Sequence, residues 1–356
     1  MTRPAPSAGA WILDRVPTPA GDVPRVAAAL TGSDRLGTWA RRWGIGRDDY
    51  AVAPGLYAVG APAVDSVVLV TANYKMSFDR LRRELAGISA WILVLDTKGI
   101  NVWCAAGKGT FGTDELVRRV QGTGLDRVVS HRRLVVPQLG APGVSAHQVL
   151  KGCGFRVTYG PVRASDLPRF LASGMKADPE MRRVRFGLRD RAAVAPVEVI
   201  GGGGYALLVA ALFVLVGGLG AGGFQLDRVL SVGVPEAVLV LAAFLGGSLV
   251  TPLLLPFLPG REFALKGAWV GLLGTVGLHS LLFGWPENRG VWALAAWGLI
   301  GTALASFVAM NFTGASTFTS VSGVREEMRR AVPAQAVALV AGLALWGVSR
   351  FTGLLG

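Results

Sequence analysis

The stretch of this chain whose residue types and spacing could do chemistry is Asn101-Val102-Trp103-Cys104-Ala105-Ala106-Gly107-Lys108. Asn101 is a natural N-cap, which places Cys104 in the first turn of a short helix. A side chain there meets unpaired N–H groups and the positive end of the helix dipole, a setting that favours anions. Lys108 adds a nearby cation, and Gly107 and Gly109 let the chain turn close to a large flat ligand. A buried inert thiol is the plainer reading of an isolated cysteine. A nucleophilic enzyme cysteine needs a base, and the sequence links neither His131 nor His147 to Cys104. Cys153, between Gly152 and Gly154, has no comparable setting and reads as a packed thiol.

The elements that must position this motif form a β/α succession. Residues 66–71 (SVVLVT) and 90–96 (AWILVLD) are nearly continuous apolar runs, suited to strands buried on both faces. Residues 77–85 have helical spacing, and Thr113 followed by Asp114 and Glu115 reads as the start of a helix. Residues 133–137, 145–150, 155–159 and 166–172 continue the alternation. The pattern predicts a parallel sheet with helices on both faces and ligands beyond the carboxyl ends of its strands. The polar segments there are 71–75, 97–110, 138–144 and 160–165. Residues 1–50, with Pro4, Pro6, Pro17, Pro19 and Pro24, read as an irregular or weakly helical lead-in.

Composition excludes several classes. The two cysteines cannot make a disulfide scaffold, a Cys-only zinc site or an iron–sulfur cluster, and three histidines leave little for a polyhistidine metal site. Of 356 residues, 17% are charged and 51% hydrophobic, where an ordinary soluble domain is about 25% charged. That excludes a disordered or nucleic-acid tail protein and points to the membrane. The charges are uneven: 8 Lys+Arg and 6 Asp+Glu lie in residues 201–356, against 28 and 17 in residues 1–200. Residues 1–14 show no apolar signal-peptide core.

Five apolar stretches, 205–223, 235–258, 263–285, 291–312 and 333–355, approach the ~20 residues that span a bilayer. Basic residues cluster before the first (Arg182, Arg183, Arg185, Arg189, Arg191), between the second and third (Arg261, Lys266) and between the fourth and fifth (Arg325, Arg329, Arg330). The opposite side shows only Arg228, Arg289 and Arg350, which puts the N-terminal part in the cytoplasm and the C-terminus outside an inner membrane. Glu236 reads as a helix-start carboxylate and His279 as a packed polar residue, so an ion pathway has thin support. The expected organisation is a lead-in over 1–50, an α/β Rossmann-like domain over 51–200, and an all-α transmembrane domain of five helices over 201–356.

The run NVWCAAGK resembles the cap-helix motif of the corrinoid protein of microbial mercury methylation, the HgcA family. Residues 54–59 (PGLYAV), 68–75 (VLVTANYK), 91–101 (WILVLDTKGIN), 137–144 (PQLGAPGV), 159–164 (YGPVRA) and 311–317 (NFTGAST) resemble family segments in the same order. The resemblance covers residue 50 to the end, and residues 1–50 and Cys153 lie outside its pattern. It implies a cobalamin-type corrinoid on the α/β domain, with Cys104 as lower axial ligand of the cobalt. None of the histidines stands in the Asp-x-His-x-x-Gly pattern that supplies imidazole in many corrinoid proteins; Val129, Ser145 and Gly277 stand two before His131, His147 and His279.

The implied reaction is methyl transfer from the methylated corrinoid to inorganic mercury(II), an electrophile, so the methyl leaves as a carbanion or radical equivalent. A donating thiolate opposite the methyl favours that outcome. The implied partners are a small ferredoxin-like iron–sulfur protein as electron donor and a methyltetrahydrofolate-linked methyl donor. Thr71 and Ala164 match the segments that approach the corrinoid ring. Asn101, Trp103, Ala105, Gly107 and Lys108 shape the cap, and Gln138 and Leu139 contact the cofactor; a core anchor is the plain alternative for Trp103. Residues 311–320 are either a docking or substrate segment or an ordinary polar loop. Two other readings stand beside this one. One is a methyl-carrying corrinoid protein of one-carbon metabolism, like the corrinoid iron–sulfur protein of acetyl-CoA synthesis, whose four-cysteine cluster motif is missing here. The other is a membrane scaffold or transporter with a regulatory domain.

Overall fold

The computed structural model describes residues 11–46, 49–285, 290–312 and 321–351. It divides into two units, Met1–Arg41 with Ile45–Val184, and Arg42–Gly44 with Arg185–Gly356.

The first unit is α/β. In chain order it comprises β1 (Ile12–Val16), β2 (Val23–Val26), α1 (Gly32–Arg42), β3 (Gly55–Val59), β4 (Val68–Ala72), α2 (Lys75–Arg83) and β5 (Ala90–Leu95). There follow α3 (Val102–Gly107), α4 (Thr113–Gly122), α5 (Leu125–Val128), β6 (Arg133–Val136), α6 (Ala146–Cys153), β7 (Arg156–Tyr159) and α7 (Leu167–Ala172). The strands form one sheet in the order β1-β2-β3-β5-β4-β6-β7. β5, β4, β6 and β7 are mutually parallel. β3 runs antiparallel to β5, and β1 antiparallel to β2. The sheet is therefore mixed, where the β/α alternation predicts a parallel one.

The apolar runs of β4 and β5 serve both faces. Val68, Val70, Ala72, Trp91, Leu93 and Leu95 pack with Ala105, Phe111, Leu116 and Val149 from α3, the α3–α4 loop, α4 and α6. Leu69, Ile92 and Val94 face the other way, onto Phe78 and Leu81 of α2 and Phe170 of α7. Alternation with period two thus sorts one continuous apolar run into two cores. The helix expected at Thr113 starts there, with Gly112 in the cap position; the Thr113 hydroxyl instead accepts from Ser145 N at 2.9 Å.

The expected irregular lead-in over 1–50 is corrected for its described residues 11–46: β1 and β2 extend the sheet and α1 is tied to α2 through ions. Asp34 of α1 meets Lys75 Nζ at 2.6 Å and Arg82 Nη2 at 2.7 Å, while Asp79 meets the same two cations at 2.6 and 2.8 Å. Arg82 is fully buried and also donates to the carbonyls of Ala27 (2.5 Å) and Ala29 (3.0 Å). Two carboxylates and two cations so close a neutral buried cluster joining α1, α2 and the chain after β2.

The second unit contains five helices long and apolar enough to cross a membrane: Leu188–Gly217, Leu226–Leu254, Phe263–Phe283, Val291–Asn311 and Gly323–Phe351. The first and fifth begin well before the apolar stretches that suggest them, and Pro196 and Pro333 lie inside helices. Arg325, Arg329 and Arg330 consequently sit on the fifth helix rather than in a connection; Arg329 and Arg330 pair with Glu326 at 3.0 and 2.6 Å. Residues 286–289 and 313–320, which include Arg289 and most of the 311–320 segment, lie outside the described residues. Helices pack closely at Gly247, where a Cβ would sit 2.5 Å from the Ala305 carbonyl. Glu236 is more than a helix-start carboxylate. It is buried, accepts from Trp346 Nε1 at 2.6 Å, and pairs with Arg350 Nη1 at 3.0 Å. Arg350 lies inside the last turn of the fifth helix.

The ion cluster of the first unit carries a prediction. Burial alone pushes the Asp34 carboxyl up, but bonds from Lys75, Thr31 and Arg82 outweigh it and hold the group well below the usual carboxylate range. Its contribution is fully present above the ordinary value of 3.8 and is lost as pH falls below it. Asp34→Asn is expected to cost about 3 kcal/mol near neutral pH by leaving buried cations undercompensated. Thermal unfolding of the full chain in detergent should show that deficit, and the gap to wild type should narrow in acid.

Candidate functional site

Parallel strands present their following loops on one edge, so the loops after β4, β5, β6 and β7 are neighbours. β4 lies between β5 and β6, with the chain moving to one side for β5 and to the other for β6 and β7. Such a reversal opens a crevice at the carboxyl ends of the strands.

The loop after β5 is held by one amide. Asn73, buried just past β4, accepts through Oδ1 from Thr97 N (3.1 Å), Thr97 Oγ1 (2.8 Å) and Gly99 N (3.0 Å). Its Nδ2 donates to Asp96 Oδ1 at 3.4 Å. Lys98 and Gly99 have φ of 59° and 73°, a left-handed pair that only a well-anchored loop sustains. Glu115 of α4, also buried, accepts from Asp96 N at 2.9 Å and from Arg119 Nη2 at 2.6 Å. Burial pushes the Glu115 carboxyl up, but the Asp96 N–H and the two arginines, Arg119 and Arg118, hold it below its ordinary value.

α3 follows directly. Asn101 is its N-cap, in extended conformation, and Asn101 Oδ1 accepts from Cys104 N at 2.9 Å. Cys104 lies in the first turn, half-buried and in no disulfide. His131 and His147 bond elsewhere, to the Ser66 carbonyl at 2.9 Å and to Ser145 Oγ at 3.0 Å. Cys153 differs: its Sγ donates to the Val149 carbonyl at 3.3 Å, and burial pushes its thiol up.

The loop after β6 closes on α3 backbone to backbone. α3 packs against the turn Gln138–Gly140 and against β4. A Cβ on Gly143 would lie 2.1 Å from the Phe111 carbonyl and 3.1 Å from Ala106 Cα; one on Gly140 would strike the Phe111 ring at 2.4 Å. Gly143 also accepts from Thr113 N at 3.1 Å. Tyr159, ending β7, donates to the Val144 carbonyl at 2.5 Å.

Among the residues singled out from the sequence, Asn101, Trp103, Cys104, Gly107 and Lys108 share the α3 cap, with Gln138 and Leu139 on the turn packed against it. Gln138 N donates to the Pro161 carbonyl at 3.4 Å, linking this loop to the one that leads to Ala164. Ala105 is buried in the core beneath the cap. Thr71 is buried and alternates with Val70 and Ala72, so its side chain takes the α2 face of the sheet, not that of α3. Sequence reasoning missed Asn73, Gly140, Gly143 and Glu115. Asn73 does stand in a polar strand-to-helix segment, the signal that marks it. No group of three or more His, Cys, Asp or Glu that could hold a metal ion occurs among the described residues. The donor set is a lone thiol, which suits a metal already held by its own macrocycle and short of one ligand.

The family model described as CdhD, the CO dehydrogenase/acetyl-CoA synthase delta subunit, matches residues 46–171. The α/β unit is related to acetyl-CoA synthase complex subunits. The acetyl-CoA decarbonylase/synthase complex subunit gamma of Methanopyrus kandleri is 34% identical over 127 residues, 35% of this chain and 27% of that protein. Its counterpart in Archaeoglobus fulgidus is 30% identical over the same shares, and subunit gamma 2 of Methanosarcina thermophila is 32% identical over 34% of this chain and 26% of its own. The chain thus spans about a quarter of the length of these curated relatives. Of the readings made from the sequence, the acetyl-CoA-pathway one is the nearer to them, and mercury methylation goes beyond them.

Two variants test the loop clamps. Asn73→Ala leaves two buried N–H groups without an acceptor, at a cost of about 2 kcal/mol. Hydrogen exchange in the full chain should speed up across residues 97–108 and remain near wild type in β6 and β7. Gly143→Ala should loosen α3 and the 138–144 loop together.

Proposed function

We propose that the chain is a membrane-anchored methyl carrier whose α/β unit holds a corrinoid, with Cys104 as the protein ligand of its cobalt. The observation that carries this reading is the setting of Cys104: a half-buried thiol outside any disulfide, fixed in the first turn of α3 at the carboxyl edge of the parallel strands. The relation to acetyl-CoA synthase complex subunits supports it from outside the chain. When bound, the corrinoid supplies a cobalt that takes up and gives up the methyl group.

The chain's own residues position and shield. Asn101 fixes the helix start and turns the Cys104 backbone; Asn73 fixes the loop that leads into it. Trp103, Gly107 and Lys108 form the rest of the cap rim, Gln138 and Leu139 the opposing lip, and Ala164 the small residue of the next loop. Ala105 supports the cap from the core. Thr71 contributes through the strand end rather than its side chain. Arg182 Nη1 donates to Gln138 Oε1 at 2.8 Å and braces the lip.

Mercury(II) as methyl acceptor is the second reading, favoured by a thiol rather than an imidazole at the cap. Since the chain has two cysteines, an iron–sulfur electron donor must be a separate protein, ferredoxin-like in that reading, and the methyl donor methyltetrahydrofolate-linked. The five membrane-length helices support a membrane location in this reading, and the basic residues before the first favour an α/β unit in the cytoplasm.

Full-length protein from a corrinoid-supplied host should contain stoichiometric cobalt and a corrinoid absorption spectrum. Cys104→Ala should change that spectrum and abolish methyl transfer while membrane insertion persists. Cys104→His should keep some corrinoid with a different spectrum, and Cys153→Ala should match wild type. An unchanged spectrum in Cys104→Ala removes the ligand assignment. Methylmercury formation, assayed with a ferredoxin and a reductant, decides the acceptor separately.

A further inference from the structure

In the helical unit the first membrane-length helix packs on the second, and the fifth on the fourth. Between the first and the fifth lies a cavity of about 600 Å³. Val209 and Leu212 of the first helix and Leu339 and Leu343 of the fifth form its walls, with Ala303 and Leu304 of the fourth as its floor. One end of this slot is shut. Phe213 meets Trp346 edge to face with ring centres 5.5 Å apart, and lies 5.2 Å from Trp297 of the fourth helix. Arg350 Nη2 donates to the Gly217 carbonyl just beyond. Among the described residues, the bonds and ring contacts that join the first and fifth helices are all at this end. Towards the other end stands Gln335, which lines the slot and is 8% exposed. The orientation of its amide follows from its neighbours. Ser306 has one hydroxyl proton and gives it to the Ala264 carbonyl at 2.8 Å, so towards Gln335 it accepts, from Nε2 at 2.8 Å. Gln335 Oε1 is left buried with no hydrogen-bond partner.

Position and length select the occupant. Gln335 follows closely on the charged run 325–330, at the start of the apolar stretch 333–355, whereas Trp346 and Phe213 stand near the middle of the stretches 333–355 and 205–223. From Gln335 to Trp346 the fifth helix rises roughly 16 Å. That is about half of a ~30 Å hydrocarbon core, the depth of one leaflet. A helix of a second copy or of another membrane protein has to pass the midplane, which the shut end forbids. Over that length the cavity averages about 40 Å² in section, half of what a helix ~10 Å wide fills. A lipid tail is thinner and ends at the midplane. A buried acceptor without a donor is costly, and a ligand that donates to it removes the cost. We propose that the slot holds one acyl tail of a phospholipid whose headgroup donates an N–H to Gln335 Oε1, the ammonium of phosphatidylethanolamine being such a donor. This rests on the membrane location proposed above for the five helices.

The test uses the full chain, with membrane insertion checked by resistance to carbonate extraction. The protein is reconstituted in vesicles of equal phosphatidylethanolamine and phosphatidylcholine with identical tails, then re-extracted in mild detergent, and the lipid it retains is counted by mass spectrometry. Phosphatidylcholine has the same tails and phosphate but no N–H. About one lipid per chain is expected, with phosphatidylethanolamine about tenfold over phosphatidylcholine. Gln335→Leu should abolish the preference while lipid is still retained. Ala336→Trp on the fifth helix and Leu212→Trp on the first, two exposed positions that line the slot, should each lower retention several-fold, and either one serves should the other fold poorly. Equal retention of the two lipids overturns the proposal, as does unchanged retention in both tryptophan variants. Absence of retained lipid also overturns it, the result expected when another segment of this chain fills the slot. Release of the protein by carbonate overturns the membrane location itself, and the proposal with it.

Discussion

A single side-chain oxygen, Asn73 Oδ1, holds the segment from which the candidate site grows. Three donors on residues 97–99 converge on it. The loop they belong to passes through two consecutive left-handed residues, a conformation the chain adopts only when surrounding bonds over-determine it. Downstream, the direction of α3 and the position of Cys104 follow from where that loop ends. The acceptor is in turn fixed because Asn73 extends β4, a central strand of the sheet. Rigidity thus passes from sheet to amide to loop to helix to thiol, each link a short, saturated contact.

The opposite lip meets α3 backbone to backbone. At Gly143 the backbone of the β6 loop touches the backbone of α3 and of the following turn, and any Cβ would force them apart. The two clamps act on the same short helix from different strands, one on each side of the reversal between β4 and β6. That a six-residue helix, far below the length that is stable alone, is well formed reflects tertiary support rather than propensity. A thiol placed in advance needs no further ordering when a ligand arrives, which lowers the entropic cost of binding.

Legibility in the sequence followed the range of the interactions. Asn101 as cap of α3 is local chemistry and could be read from four residues. β4 and β5 could be read because strands covered on both faces are continuous apolar runs. β1 could not: ILDRV is half exposed, and its register depends on β2 across a bulge. Nor could the antiparallel direction of β3, which is set by pairing with β5 rather than by its own residues. The role of Asn73 was hidden because its partners lie 24 and 26 residues away. In the helical unit, charged residues at 325–330 looked like a connection. They are a helix surface on which Arg329 and Arg330 pair with Glu326 at helical spacing.

Glu236 and Arg350 are 114 residues apart, on the second and fifth membrane-length helices. Arg350 also reaches carbonyls at the end of the first, those of Gly217 and Leu219. Synthesis runs from the N-terminus, so the second helix is made long before its counter-ion exists. A carboxylate in an apolar bundle without its cation is expensive. Helices one to four leave that carboxylate uncompensated, and the fifth helix supplies its cation. The charge that settles the second helix is thus carried by the fifth, and each helix depends on the other for its buried ion.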